Sequence, residues 1–178
     1  VHEHVGWYAS FLDEGTLWEC CRPSPDDEAV TIPSSEDTFL ITLAHSFYED
    51  KEIKLSDLAQ VHRCLRRDEF DWDYVYRIAA RRGWLDGLQV ALLLYAHAGR
   101  VWYGKTLIPD ERLSHAERTL PTWTLRYVHR YLPQEPESAP LSIPFALSKV
   151  CFYRRLWKNK DKGLAGRLGD LLIHTMQG

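Results

Sequence analysis

A chain of 178 residues is long enough for one domain with its own core, or for a small domain with an appendage. With 45% hydrophobic and 26% charged residues it has the composition of a soluble globular protein, and its net charge of -3 excludes a global pull toward nucleic acid or anionic membrane. Seven Trp and nine Tyr predict aromatic packing between helices or a stacking surface.

The four cysteines, Cys20, Cys21, Cys64 and Cys151, show no Cys-x-x-Cys spacing, and adjacent cysteines rarely bridge. Reduced thiols in a cytoplasmic protein are expected. VHEHVGWY has no basic start followed by an apolar run, so no signal peptide is read. The longest apolar run, Val90 to Ala98, is interrupted by His97 and is too short for a bilayer. The abrupt opening without an initiating Met predicts a piece of a longer protein.

Val1 to Tyr8 is rich in β-branched and aromatic residues, which fits a short strand. On a strand His2 and His4 share a face, and with Glu3 they form a candidate metal site. A solvent-facing imidazole pair fits the same spacing, because nothing local fixes a further ligand. Phe11 to Cys21 fits a short helix or an irregular segment anchored by Leu17 and Trp18. Pro23, Pro25 and Pro33, with the acids Asp26, Asp27 and Glu28, then mark a loop.

Ser34 or Ser35 caps the first strong helix, with Glu36 and Asp37 in its first turn and Phe39, Leu40, Leu43, Ala44 and Phe47 as its apolar face. It is expected to end near Tyr48. Ser56 is expected to cap a second helix, on which Leu55, Leu58, Ala59, Val61, His62 and Leu65 recur at helical spacing. The short turn between them predicts an antiparallel hairpin with His45 and Asp57 facing each other. Such a pair can orient an imidazole for acid–base work, or simply tie two helices together. No Ser or Cys nucleophile accompanies it, so no catalytic residue is assigned.

Asp71 begins the third helix, with Trp72, Val75, Ile78 and Ala79 inward and Gly83 as its stop. Asp71 and Asp73 spell Asp-x-Asp, a magnesium pattern on a strand, but at a helix start the carboxylates answer the first amides instead. The fourth helix is expected from Leu85 to His97, with Leu88, Ala91, Leu92 and Tyr95 inward and Gly99 closing it. Arg63, Arg66, Arg67, Arg77, Arg81 and Arg82 form solvated faces or a phosphate-binding patch, and Arg63 and Arg67 are substrate-binding candidates alongside His45 and Asp57.

Beyond Gly99 a loop and at most one short helix are read, then a helix opened by Pro121 with Trp123, Leu125, Val128 and Leu132 as its stripe. Pro144 opens another, with Leu147, Val150, Cys151 and Trp157 inward. Its end carries Tyr153, Arg154, Arg155, Lys158 and Lys160, a combination that grips nucleic acid or complements the helix dipole. Leu164, Leu168, Leu171 and Leu172 suggest a last amphipathic helix. The fold class read from these elements is mainly all-α, an antiparallel bundle of about six to seven helices with room for a short N-terminal strand or hairpin.

TLAHSFYEDKEIKLSDLAQVHRCLRRDEFDWDYVYRIAARRG resembles the helical C-terminal region of the uncharacterised nucleotidyltransferase family, distant relatives of the DNA polymerase beta type. The residues that carry the resemblance are His45, the Leu-x-Asp-Leu at Leu55 to Leu58, Asp71-Trp72 and Gly83, with HEHVGW similar to the strand that precedes them. The resemblance implies nucleotidyl transfer, with a Gly-Ser turn holding the triphosphate and a strand Asp-x-Asp binding magnesium. No Gly-Ser pair occurs here, the one Asp-x-Asp is Asp71-Asp73, and His2 stands where the family's further acid is expected, beside Glu3. The implied organisation is a lead-in over 1–33 from a missing catalytic domain, a four-helix core over 34–99, and a helical extension over 100–178 packing on that core. This chain alone is then expected to be inactive and to hold no cofactor. Its implied partners are the catalytic domain, a nucleotide and an acceptor. The alternative is a non-enzymatic helical module that binds protein or nucleic acid.

Overall fold

The computed structural model describes residues 11–12, 14–24, 27–66, 70–132, 141–158 and 163. His2, Glu3, His4 and Arg67, the side chains of Trp18 and Trp157, and the helix expected over Leu164 to Leu172 lie outside the described residues. The first part of the chain runs α1 (Glu14–Glu19), β1 (Arg22–Pro23), β2 (Thr31–Ile32), α2 (Ser35–Ala44), a π-helical turn (His45–Asp50), β3 (Glu52–Ile53) and α3 (Leu55–Leu65). It continues with α4 (Trp72–Arg81), α5 (Leu85–Tyr103), α6 (Asp110–Thr119), α7 (Thr122–Tyr131), β4 (Leu141–Ser142) and α8 (Phe145–Lys158). The fold is mainly α, as the periodicity predicts, with two small antiparallel sheets that pair β1 with β2 and β3 with β4. Arg22 lies opposite Ile32, and Ile53 opposite Leu141.

The caps follow the residue chemistry, with one correction. Ser34 caps α2: its Oγ accepts from the Asp37 amide at 3.0 Å, and its hydroxyl donates to Asp37 Oδ2 at 2.7 Å. Asp71 caps α4, accepting from the Tyr74 amide at 2.8 Å, and Gly83 ends that helix at φ 78°. Ser56 does not cap α3, which starts one residue earlier, at Leu55. The capping carboxylate is that of Asp57, which takes the Lys54 amide at 2.9 Å.

α5 is the central element, with α2, α3, α4, α6 and α8 packed on it. Every residue from Gly87 to Ala96 is buried, so this helix is apolar on all sides, not on one stripe. It runs through Gly99 and stops at Gly104, which adopts φ 68°. Gly99 therefore serves packing, since a Cβ there would sit 3.0 Å from the Lys105 carbonyl as the chain folds back. Other helices rotate slightly from the expected faces. Leu55 and Ala59 are exposed while Leu58, Val61 and Cys64 face inward. Trp123 is 47% exposed while Thr124 and Val128 are buried, and Val150 faces out while Arg155 is buried.

The π turn ends at Lys51, the one non-glycine residue with positive φ among the described residues. The Lys51 amide donates to the Ser46 carbonyl, and its own carbonyl accepts from Ile143 at 2.7 Å. That last bond ties the turn to the segment of β4. Tyr48, within the turn, stacks on Phe11 at 4.7 Å and meets Phe47, Trp84 and Phe152 edge-on. Its hydroxyl presses on the backbone of α5 at Gly87, the position where no side chain intrudes.

Gly87→Ala tests this contact. Ala normally improves a helix interior by about 0.5–1 kcal/mol over Gly. Here the added Cβ overlaps the Tyr48 hydroxyl, and the rings around Tyr48 leave no space to retreat. Urea unfolding should show a net loss of about 1–3 kcal/mol; a gain would refute the contact.

Candidate functional site

His45 and Asp57 are not partners. The half-exposed His45 ring meets Glu49 through Nδ1 at 2.6 Å and Asp50 through Nε2 at 3.3 Å, both on its own turn. The physical reason is the winding: a π turn advances less per residue than an α-helix, and it presents Ser46 toward Asp57 instead. Ser46 Oγ lies 3.3 Å from Asp57 Oδ2, 2.9 Å from the Thr42 carbonyl and 2.7 Å from Tyr95 Oη. Burial above all holds the Tyr95 phenol well above its usual range, so it stays protonated and can donate to Ser46. Ser46 and Tyr95 were not singled out by sequence, because a lone Ser and a stripe Tyr carry no signature. This arrangement is a structural hydrogen-bond network.

Of the Asp71-Asp73 pair, Asp71 is likewise spent on structure, while Asp73 stands exposed in the first turn of α4. Asp71 holds the first turn of α4, and its own amide donates to Glu36 Oε1 at 2.9 Å. Among the described residues no cluster of three or more His, Cys, Asp or Glu could hold a metal ion. On α8, the Arg154 guanidinium reaches Asp86 at 2.8 Å and Lys158 reaches it at 2.9 Å. The Arg155 guanidinium lies 4.0 Å from the centre of the Phe11 ring, with 1% of the residue exposed. Of the basic end of α8, Arg155 is thus buried, while Arg154 and Lys158 are paired with Asp86 at the surface.

Of the described sequence candidates, Arg63 lines a concavity. It lines a cleft of about 300 Å³ with Gln60 on the same helix, Arg22 on β1, and Ser35 and Thr38 at the start of α2. Ile32, Pro33 and Cys64 form its apolar wall. Burial pushes the Cys64 thiol up to about 11, with the nearby Glu36 adding to it, so it stays a neutral wall and not a nucleophile. Sequence reading missed Arg22, Ser35, Thr38 and Gln60. Their convergence depends on the β1–β2 pairing, which two residues per strand do not announce.

The floor next to this cleft is pinned by Asp37, which is 1% exposed. Its carboxylate accepts from the Ser34 hydroxyl and, at 2.7 Å, from the Tyr74 hydroxyl of α4. Burial raises its pKa, and the two hydrogen bonds offset part of that rise.

No described helix is long and apolar enough to cross a membrane. Residues 2–99, more than half of the chain, match a protein family described as uncharacterised nucleotidyltransferase. No curated protein and no solved structure gives a significant match.

The raised pKa of Asp37 has a sign. The folded state holds this proton to higher pH than the unfolded chain, whose carboxyl titrates near about 3.9. The stability it contributes is full below that value and falls as pH rises through the folded pKa. Asp37→Asn removes that fall. Urea unfolding of both proteins from about pH 4 to about pH 7 should show the difference moving toward the variant and levelling off once the folded-state carboxyl has ionised. Parallel profiles would contradict the assignment.

Proposed function

The chain belongs to the uncharacterised nucleotidyltransferase family, and we propose that it is the helical C-terminal part of such an enzyme, set against a catalytic domain outside these residues. The observation that carries this reading is the family match over residues 2–99, which takes in α1 through most of α5. In the whole enzyme an acceptor hydroxyl attacks the α-phosphorus of a nucleoside triphosphate in line. The new oxygen–phosphorus bond forms as the α–β bridge breaks, and pyrophosphate leaves. The helical part shapes the acceptor side and keeps water out.

Magnesium supplies charge neutralisation in this type of reaction. The described residues do not fit it, because Asp71 is committed to a helix cap and no metal-holding cluster is present among them. In our reading magnesium belongs to the acids of the catalytic domain. All four cysteines are free thiols, which supports a reducing, cytoplasmic setting. With Arg155 buried and Arg154 and Lys158 paired to Asp86, the basic end of α8 gives little support to a nucleic-acid-binding module.

The test is direct. The 178-residue chain, incubated with magnesium and nucleoside triphosphates labelled at the α-phosphate, should transfer no label to a cell extract's small molecules, RNA or protein. Transfer above background would overturn the division of labour between this chain and a separate catalytic domain.

A further inference from the structure

The cleft beside Arg63 combines three observations. First, two guanidinium groups from different elements, Arg22 on β1 and Arg63 on α3, line it, and among the described residues no Asp or Glu does. In a chain of net charge -3 this is a local reversal of sign. Second, its polar side chains are unspent: those of Arg22, Ser35, Thr38, Gln60 and Arg63 make no hydrogen bond or ion pair with any described residue. Three carboxylates of α2 and α3 are occupied. Asp37 holds Ser34 and Tyr74, Glu36 takes the Asp71 amide, and Asp57 takes the Lys54 amide. Third, Ile32, Pro33 and Cys64 add an apolar part to the lining, and the thiol is held neutral by burial.

Arginine presents a planar fork of donors that matches phosphate oxygens two at a time. Hydroxyls and a side-chain amide add single bonds, and an apolar wall accepts the body of the molecule that carries the phosphate. A volume of about 300 Å³ is at the small end of ligand sites and suits a phosphorylated small molecule, not a nucleic-acid strand. The acids Glu36 and Asp37 in the first turn of α2 weigh against an anion, and Glu36 acts on Cys64 of the lining; each carboxylate is nonetheless engaged by a donor outside the lining, the Asp71 amide and the Tyr74 hydroxyl.

We propose that this cleft binds the phosphate group of a small molecule, with Arg22 and Arg63 as its two clamps. The assignment stands on the cleft alone and does not rest on the transferase reading, so failure of the transfer test leaves it intact. Two sources share the chemistry: the phosphates of a nucleotide, and a sugar phosphate that could equally be an acceptor in the transferase reading.

The experiment is a titration of the full chain, isotope-labelled, with inorganic pyrophosphate, ATP and ribose 5-phosphate, read by amide chemical shifts. The expected result is saturable shifts at Arg22, Ser35, Thr38, Gln60 and Arg63 that weaken with added salt. Arg22→Gln and Arg63→Gln each weaken binding by about tenfold or more, and Arg63→Lys, which keeps the charge and loses the fork, weakens it less. Both arginines are exposed, so the unfolding midpoint of each variant should stay at that of the parent chain. Tighter ATP binding assigns the cleft to a nucleotide, and tighter ribose 5-phosphate binding assigns it to an acceptor. No saturable shift with any of the three probes, or shifts that persist unchanged in both Gln variants, would overturn the proposal.

Discussion

The hydroxyl of Ser46 sits where three helical elements meet, and the arrangement of the first half of the chain depends on it. It is fully buried, 2.7 Å from Tyr95 of α5 and 3.3 Å from Asp57 of α3, and it also reaches the Thr42 carbonyl of its own helix. A buried polar group without a partner costs about 1–3 kcal/mol, so each of these groups constrains the others. With the Tyr95 phenol donating, the single Ser46 proton is left for Thr42 or Asp57. Asp57 in turn holds the Lys54 amide, so the start of α3 is set by the same carboxylate. The π turn is the local deformation that brings Ser46 to this point, and the left-handed Lys51 is where it ends.

From this junction the cleft acquires its shape. α2 is held against α5 at its C-terminal end by Ser46 and against α4 at its N-terminal end by the Asp37–Tyr74 bond. Fixing both ends of α2 sets where Ser35 and Thr38 stand relative to Gln60 and Arg63 on α3, which packs on it. The β1–β2 pairing then places Arg22 on the remaining side. A site built from exposed side chains thus rests on buried polar bonds several residues away.

Helix starts and stops were legible where one residue type does one job: Ser34, Asp71 and Gly83 each act as their chemistry suggests. Reading failed where two residues could do the same job. Gly99 and Gly104 are both plausible stops, and only the close approach of Lys105 shows that the first is a packing glycine. The inward turn of Arg155 was hidden because a guanidinium reads as a surface group until an aromatic face such as Phe11 is placed beneath it. His45–Asp57 failed because the prediction assumed α winding through residues that wind as a π turn. Of the cleft, only Arg63 was singled out, as one of several helix arginines; its convergence with Arg22 is a tertiary fact.

A double-mutant cycle on Ser46→Ala and Tyr95→Phe, followed by urea unfolding, tests most directly whether the junction holds the fold. If the two hydroxyls form one buried network with Asp57, the single losses should not add, and the coupling should be about 0.5–3 kcal/mol. Losses that add to within about 0.3 kcal/mol would show that Ser46 and Tyr95 act independently, and the account built on their junction would be wrong.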